Sequence, residues 1–308
     1  MSGKTKKKIR WKEFLPYYLL ALPGVIYMIC NNYLPMFGVI IAFKNLNFRK
    51  GILGSDWCGL DNFKFLFASK DAFTITRNTI LYNVAFIVLT TVLAIAIAIL
   101  VNEIQSRFAS RLYQSLILLP YLMSWVIVSY LVYAFLSAET GLVNNAILEK
   151  LGLKGISWYN SPQYWPFILT FVSLWKSLGY AMIIYFSSIV GISQDYYEAA
   201  TLDGASKWQQ IKCITLPLLK PTVITMFVLQ IGRIFYSDFG LFYQIPMNSG
   251  TLYSVTRTID VYVYNALMKS SDSGMSSAAS VYQSVVGIIM IIGANALIRK
   301  FSKENALF

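Results

Sequence analysis

Covalent catalysis has little to work with in this sequence. It contains no histidine, which removes the usual general base near neutral pH and the commonest metal ligand. Cys30, Cys58 and Cys213 lie far apart, with no C-x-x-C spacing to suggest a zinc site or a disulfide framework. No G-x-x-x-x-G-K-S/T phosphate loop occurs, so ATP hydrolysis would need another polypeptide. What remains is non-covalent binding. Lys176 and Arg233 stand out because each lies within a long apolar stretch. A charge there costs roughly 2.5–3.5 kcal/mol on insertion scales, so it faces protein or water. Gln230, Arg233 and Ser237 are spaced three and four apart, on one helical face, and Lys176 and Tyr180 share a face in the same way. Facing each other, these stripes would line a wet cavity with donors for hydroxyl groups. Trp175, Tyr180, Tyr185 and Tyr236, together with Tyr121, Trp125 and Tyr130, add flat apolar faces on which sugar rings stack. Aromatics also serve as ordinary interface belts or packing. An ion pair of Arg233 with a partner subunit is as good a reading as a place in a path.

The second chemistry-bearing segment is SQDYYEAATLDGASKWQQIKCITLPLLKPT. Ser193 is placed to cap a helix through Glu198, Ala199, Ala200 and Leu202, with Asp195 in its favourable first turn. Gly204 ends that helix, because glycine accepts the left-handed conformation that closes one. A second short helix is predicted over 205–214, stopped by Pro217 and Pro221. Two short helices set at an angle by a glycine make a compact knob. Ala199, Ala200, Gly204 and Ala205 keep its surface small enough to enter a groove.

The elements that must position these residues are membrane spans. Of 308 residues, 56% are hydrophobic and 13% charged, against about half and about a quarter in soluble domains. The apolar residues cluster in stretches near the roughly 20 residues that cross about 30 Å of hydrocarbon. Six spans are predicted: 14–37, 78–101, 112–137, 164–190, 217–237 (its apolar heart at 223–236) and 277–298. The first run lacks a small-residue cleavage site and is read as a retained helix, with residues 1–13 as a basic tail. Asn31, Asn32 and Pro35 are expected to mark where it leaves the bilayer. With the N-terminus inside, the inner segments hold 14 Lys and Arg and the much longer outer segments hold 10. Positive-inside asymmetry therefore puts both termini in the cytoplasm. The net charge of +12 needs no nucleic acid, since a basic inner face beside anionic lipid accounts for it. Short surface helices are expected in the outer loop 44–75, and no fixed-period repeat occurs.

The segment 193–221 resembles the EAA motif of ABC importer permeases. Glu198, Ala199, Ala200, Asp203, Gly204, Leu216 and Pro217 occupy its positions, with Ile211 where many relatives have Phe. Along nearly its whole length the chain is similar to the carbohydrate-uptake permeases, in particular the LplB-like branch associated with complex oligosaccharides. The motifs CGLDNFKFLF (58–67), IDVYVYNALM (259–268) and IRKFSKENALF (298–308) carry that likeness. The resemblance implies an all-α membrane protein of the type I importer (MetI-like) architecture, with residues 14–308 as the transmembrane permease domain. It also implies coupling to an ATPase through Glu198, Ala199, Ala200, Asp203, Gly204, Ala205, Ser206 and Lys207. ATP and Mg would sit on that partner and no cofactor on this chain. The implied partners are a second homologous permease, two ATPase subunits, an extracellular solute-binding protein and an oligosaccharide. The implied location is the bacterial plasma membrane. Import of a polyol, a glycerol phosphate or a peptide by the same machinery stays open, as does an ATP-independent secondary carrier.

Overall fold

Hydrocarbon offers backbone no hydrogen bonds, so an apolar chain of this length folds into helices that satisfy their own N–H and C=O groups. The computed structural model describes residues 11–68, 70–269 and 272–301. Most of the basic N-terminal tail and the end of the 298–308 motif lie outside the described residues. The main helices are α1 (Trp11–Met28), α2 (Asp61–Ala68), α3 (Asp71–Asn102), α4 (Arg107–Leu122) and α5 (Trp125–Leu136). They are followed by α6 (Trp165–Val190), α7 (Gln194–Leu202), α8 (Lys207–Gln210), α9 (Leu216–Ile231), α10 (Ile259–Met268) and α11 (Ser273–Phe301).

Among the described residues, five helical stretches are long and apolar enough to cross a membrane: Phe14–Phe43, Asp71–Asn102, Pro162–Val190, Lys207–Ile231 and Ser273–Ala296. α4 and α5, which meet at an angle of 96°, pass the same length and composition test only as a bent pair, and counted as one broken span they bring the number to six. At the outer end of the first stretch the α-helix gives way at Met28, and the Asn31 side-chain amide donates to the Tyr27 carbonyl at 3.0 Å. The chain continues through a π-type turn at Ile29–Tyr33 and a 3₁₀ segment to Phe43. The outer loop beyond it carries a two-residue antiparallel ladder, Lys44 opposite Trp57 and Asn45 opposite Asp56, followed by the short α2.

Three apolar clusters hold the bundle together. Toward the end of the bundle that carries segment 193–215, Ala94 and Ala98 of α3 meet Ala181, Met182, Tyr185 and Ile189 of α6, with Leu219 of α9. The small alanines let the helix backbones approach, the usual device where lipid removes the hydrophobic drive between helices. An outer cluster packs Tyr82, Val128, Val132, Trp165 and Leu169 against Leu241, Phe242 and Ile245. A third joins Ala72 and Ile75 to Phe235, Tyr262 and Ala279. By contrast α1 is uncovered, with Leu20 80% exposed and Tyr17 69% exposed.

α4 and α6 approach closely at Gly179, where an added Cβ would lie 2.7 Å from the Leu118 Cα and closer still to the Ile117 carbonyl. Gly179→Ala should force the helices apart at a cost of about 1–3 kcal/mol, read as a lower thermal inactivation midpoint of the purified protein. Gly293→Ala, where nothing lies within 4 Å, is the control expected to leave that midpoint unchanged.

Candidate functional site

The hairpin between the fourth and fifth spans is built by local signals. Ser193 accepts from the Asp195 amide at 3.3 Å and starts α7. Gly204, at φ +79°, makes the turn. Ser206 and Gln209 then form a reciprocal capping box at the start of α8, which satisfies two otherwise orphaned donors. The two arms are tied by Gln210, whose buried amide donates to Thr201 Oγ1 at 2.9 Å, and by the Tyr197–Thr215 hydroxyl pair at 2.9 Å. Lys207 forms a 3.1 Å ion pair with Glu103 at the inner end of α3.

One expectation is corrected here. Pro217 and Pro221 do not stop the second helix: Pro217 lies in the first turn of α9 and Pro221 inside it. The reason is the π-type turn at Ile211–Thr215, which shifts the bonding so that Leu216 N–H reaches the Ile211 carbonyl. Pro217, which has no N–H to place, falls where helix starts tolerate it. The path from Lys207 to Ile231 is thus one 25-residue helical stretch, and the hairpin runs directly into the fifth span. Glu198, Ala199, Asp203, Gly204, Ser206 and Lys207 are exposed on the hairpin, and Ala200 and Ala205 are half-buried. Sequence reasoning missed the most exposed apolar groups beside them, Leu202 at 89% and Trp208 at 69%. Their signal was present as large apolar side chains in an otherwise polar loop.

A second constellation lies at membrane depth. The apolar run 112–137 is not one helix. Pro120 cannot donate to the preceding turn, Met123 is extended, and Ser124 starts α5 by accepting from the Ile127 amide at 3.3 Å. Sixteen residues of α4 put the break about 24 Å from its first residue, Arg107. A helix C-terminus leaves its last carbonyls unpaired. Lys176, reaching over from α6 and only 8% exposed, supplies the donors: its ammonium meets the carbonyls of Pro120 at 3.2 Å, Tyr121 at 2.9 Å and Met123 at 2.6 Å. The rings of Trp125 and Tyr121 lie 5.0 and 5.7 Å from the same nitrogen.

The fifth span is also interrupted. α9 ends at Ile231 and the chain unwinds over 232–238 before a further turn at Gly240–Gln244. Asn83 donates to the Ile234 and Tyr236 carbonyls at 2.9 and 2.8 Å, and Gln283 donates to the Phe235 carbonyl at 3.1 Å. Asp260 receives the Ser237 amide and hydroxyl, each at 2.6 Å, and the Gln283 amide at 3.2 Å. The two interruptions touch: Trp125 Nε1 donates to Asp238 at 3.1 Å. Beside them, a Cβ on Gly240 would lie 2.8 Å from Trp125 Nε1. Non-helical backbone at membrane depth survives only buried in protein or lining a cavity.

The structure separates the expected path residues into two groups. Lys176 and Ser237 are engaged in backbone ties, and Trp175 is half-buried against the outer cluster. Tyr180, Arg233 and Tyr236 are exposed beside the breaks, with Gln230 half-buried. Tyr180 stacks on Tyr121 at 4.9 Å and 13°, and Arg233 has no ion pair among the described residues. Asn83, Asp238, Asp260 and Gln283 were missed, since each meets partners distant in sequence. Among the described residues, no group of three or more His, Cys, Asp or Glu side chains is placed to hold a metal ion.

Comparison with known proteins agrees with this arrangement. The chain is 33% identical over 288 residues to the protein LplB of Bacillus subtilis, covering 94% of this chain and 90% of that one. It is 34% identical to the polygalacturonan/rhamnogalacturonan transport system permease protein YteP of the same organism, covering 94% and 89%. A subunit of a bacterial ABC transporter that imports the acidic polysaccharide alginate superposes with a TM-score of 0.86 at 29% identity, covering 96% of this chain and all of that one. Residues 90–303 match the binding-protein-dependent transport system inner membrane component family. With its hairpin and interrupted spans in place, the chain belongs to that family of ABC importer permeases.

Proposed function

We propose that this chain forms half of the membrane path of a carbohydrate importer, taking up an oligosaccharide delivered by an external solute-binding protein. It pairs with a second homologous permease and two ATPase subunits that carry ATP and Mg, and it does no covalent chemistry itself. The termini and the hairpin face the cytoplasm of a bacterial cell.

The observation that carries the coupling part is the hairpin itself. Leu202 and Trp208 project from a rigid, doubly capped turn at Gly204. Large apolar side chains exposed on a polar, water-facing loop mark a protein contact, and a buried Trp is the commonest energetic anchor of one. Glu198, Ala199, Ala200, Asp203, Gly204, Ala205, Ser206 and Lys207 surround these anchors and complete the surface an ATPase cleft would receive.

The sugar part rests on the relatives' substrates and on the exposed face at the two breaks. Tyr121, Tyr180 and Tyr236 present rings there, with the Gln230 amide and the Arg233 guanidinium alongside. Arg233 is the one path cation left free of the backbone ties. A planar guanidinium suits a carboxylate, so this side chain favours uronic-acid oligosaccharides over neutral ones, in keeping with the acidic polymers named for YteP and the alginate transporter.

Two outcomes test these readings. Gly204→Val places a β-branched side chain at φ +79°, where such residues are true outliers. It should abolish uptake by the reconstituted assembly while membrane insertion continues, and full transport would remove the coupling role. Arg233→Met should depress uptake of uronate oligosaccharides more than of neutral ones, measured as the glycan dependence of ATPase activity. An equal effect on both would remove the guanidinium from substrate recognition.

A further inference from the structure

We infer that Lys176 is a positioning residue of the transport cycle: it locks the outer half of the third span to the fourth, so that its loss loosens the outer mouth while the cytoplasmic hairpin stays intact. This rests on the reading of the chain as a permease that couples to ATPases.

An ammonium has three N–H donors, and all three are matched by the carbonyls of Pro120, Tyr121 and Met123. None is left for a ligand, and the side chain is buried. The positive charge sits at the C-terminal end of α4, where the helix dipole is negative. It also sits against the faces of Trp125 and Tyr121, which favour a cation. Trp125 passes the connection on to Asp238, and Asp238 in turn accepts from the Leu241 amide at 3.3 Å in the turn after the fifth span.

The connectivity gives this joint its consequence. α6 leads into the hairpin and α9 leads out of it. Lys176 lies on α6 and Asp238 lies just past the end of α9, so both arms of the hairpin finish at the same break in the third span. A displacement of the α6 arm is felt there through a cation that grips three carbonyls and one of the other arm through the Trp125–Asp238 bond, and α5 with its exposed Val126 and Tyr130 follows.

The test uses the complete assembly in vesicles, with Lys176→Arg, Lys176→Gln and Lys176→Met, comparing ATPase activity with and without loaded binding protein. Lys176→Met should raise hydrolysis in the absence of binding protein and cut the stimulation ratio about tenfold, within the usual range of coupling between sites. Lys176→Arg, which keeps charge and donors, should stay near wild type, with Lys176→Gln between them. In a background with Cys30, Cys58 and Cys213 replaced by Ser, Val126→Cys should react faster with an impermeant maleimide when Lys176→Met is added. The order of preferred glycans should not change. Simple instability would lower hydrolysis in both conditions instead of raising the unstimulated rate.

A Lys176→Met stimulation ratio equal to wild type would overturn the proposal, and so would a changed glycan order in Lys176→Arg, which would make the residue a ligand contact. If Lys176→Met fails to assemble, equal behaviour of the Arg and Gln variants overturns it. Absence of stimulation in the wild-type assembly would instead sink the importer reading, a separate and distinguishable failure.

Discussion

Backbone that leaves the helical state inside a bilayer has to find every hydrogen-bond partner within the protein, since lipid tails supply none. That constraint organises the outer half of this molecule. The third span breaks between Leu122 and Trp125, and the carbonyls thus released are met by one buried lysine. The fifth span unwinds after Ile231, and its released groups are met by Asn83, Gln283 and Asp260. Each tie joins sequence-distant helices, so the irregular segments double as cross-braces. The tolerance of a charge in the apolar interior follows: Lys176 replaces missing backbone donors and is compensated by carbonyl dipoles and ring faces.

The inner half uses the opposite strategy. There α3 and α6 approach through Ala94, Ala98 and Ala181, and α4 and α6 through Gly179, so regular helices pack closely with little polar assistance. Regular helices beneath, irregular ones above: on the proposed function, the division sets specific polar chemistry on the solute's side and close-packed helices on the side of the ATPases. Tyr121 and Tyr180 lie at the border between the two regimes, one on each side of the α4–α6 contact.

Much of this was legible in the residues. The apolar stretches marked the crossings, and Ser193 and Gly204 marked the hairpin, because caps and left-handed glycines are local devices with local signatures. The break in the third span was not read, although Pro120 and Ser124 stood in the sequence. The residues directly beside it, LILLPYL before and WVIVSYL after, are alike in being apolar, so no change of pattern announced it. Pro217 and Pro221 misled for a related reason: the π-type turn that accommodates them has no compositional signature. Lys176 stood out as a charge in an apolar stretch and was placed on the path, but its backbone partners lie 53 to 56 positions away. The Asp260 and Asn83 ties were invisible for the same cause, as side chains that serve a distant backbone look like any other polar residue.

The uninterrupted passage from hairpin to fifth span has a mechanical corollary. A helix neither stretches nor shortens appreciably, so a push at Trp208 arrives at Ile231, about 35 Å away at 1.5 Å per residue, without a slack loop to absorb it. On the proposed coupling, the throw delivered to Ile231 equals the displacement of the hairpin and carries no dependence on the cargo. Size selection would then fall to whatever admits the solute before the stroke begins.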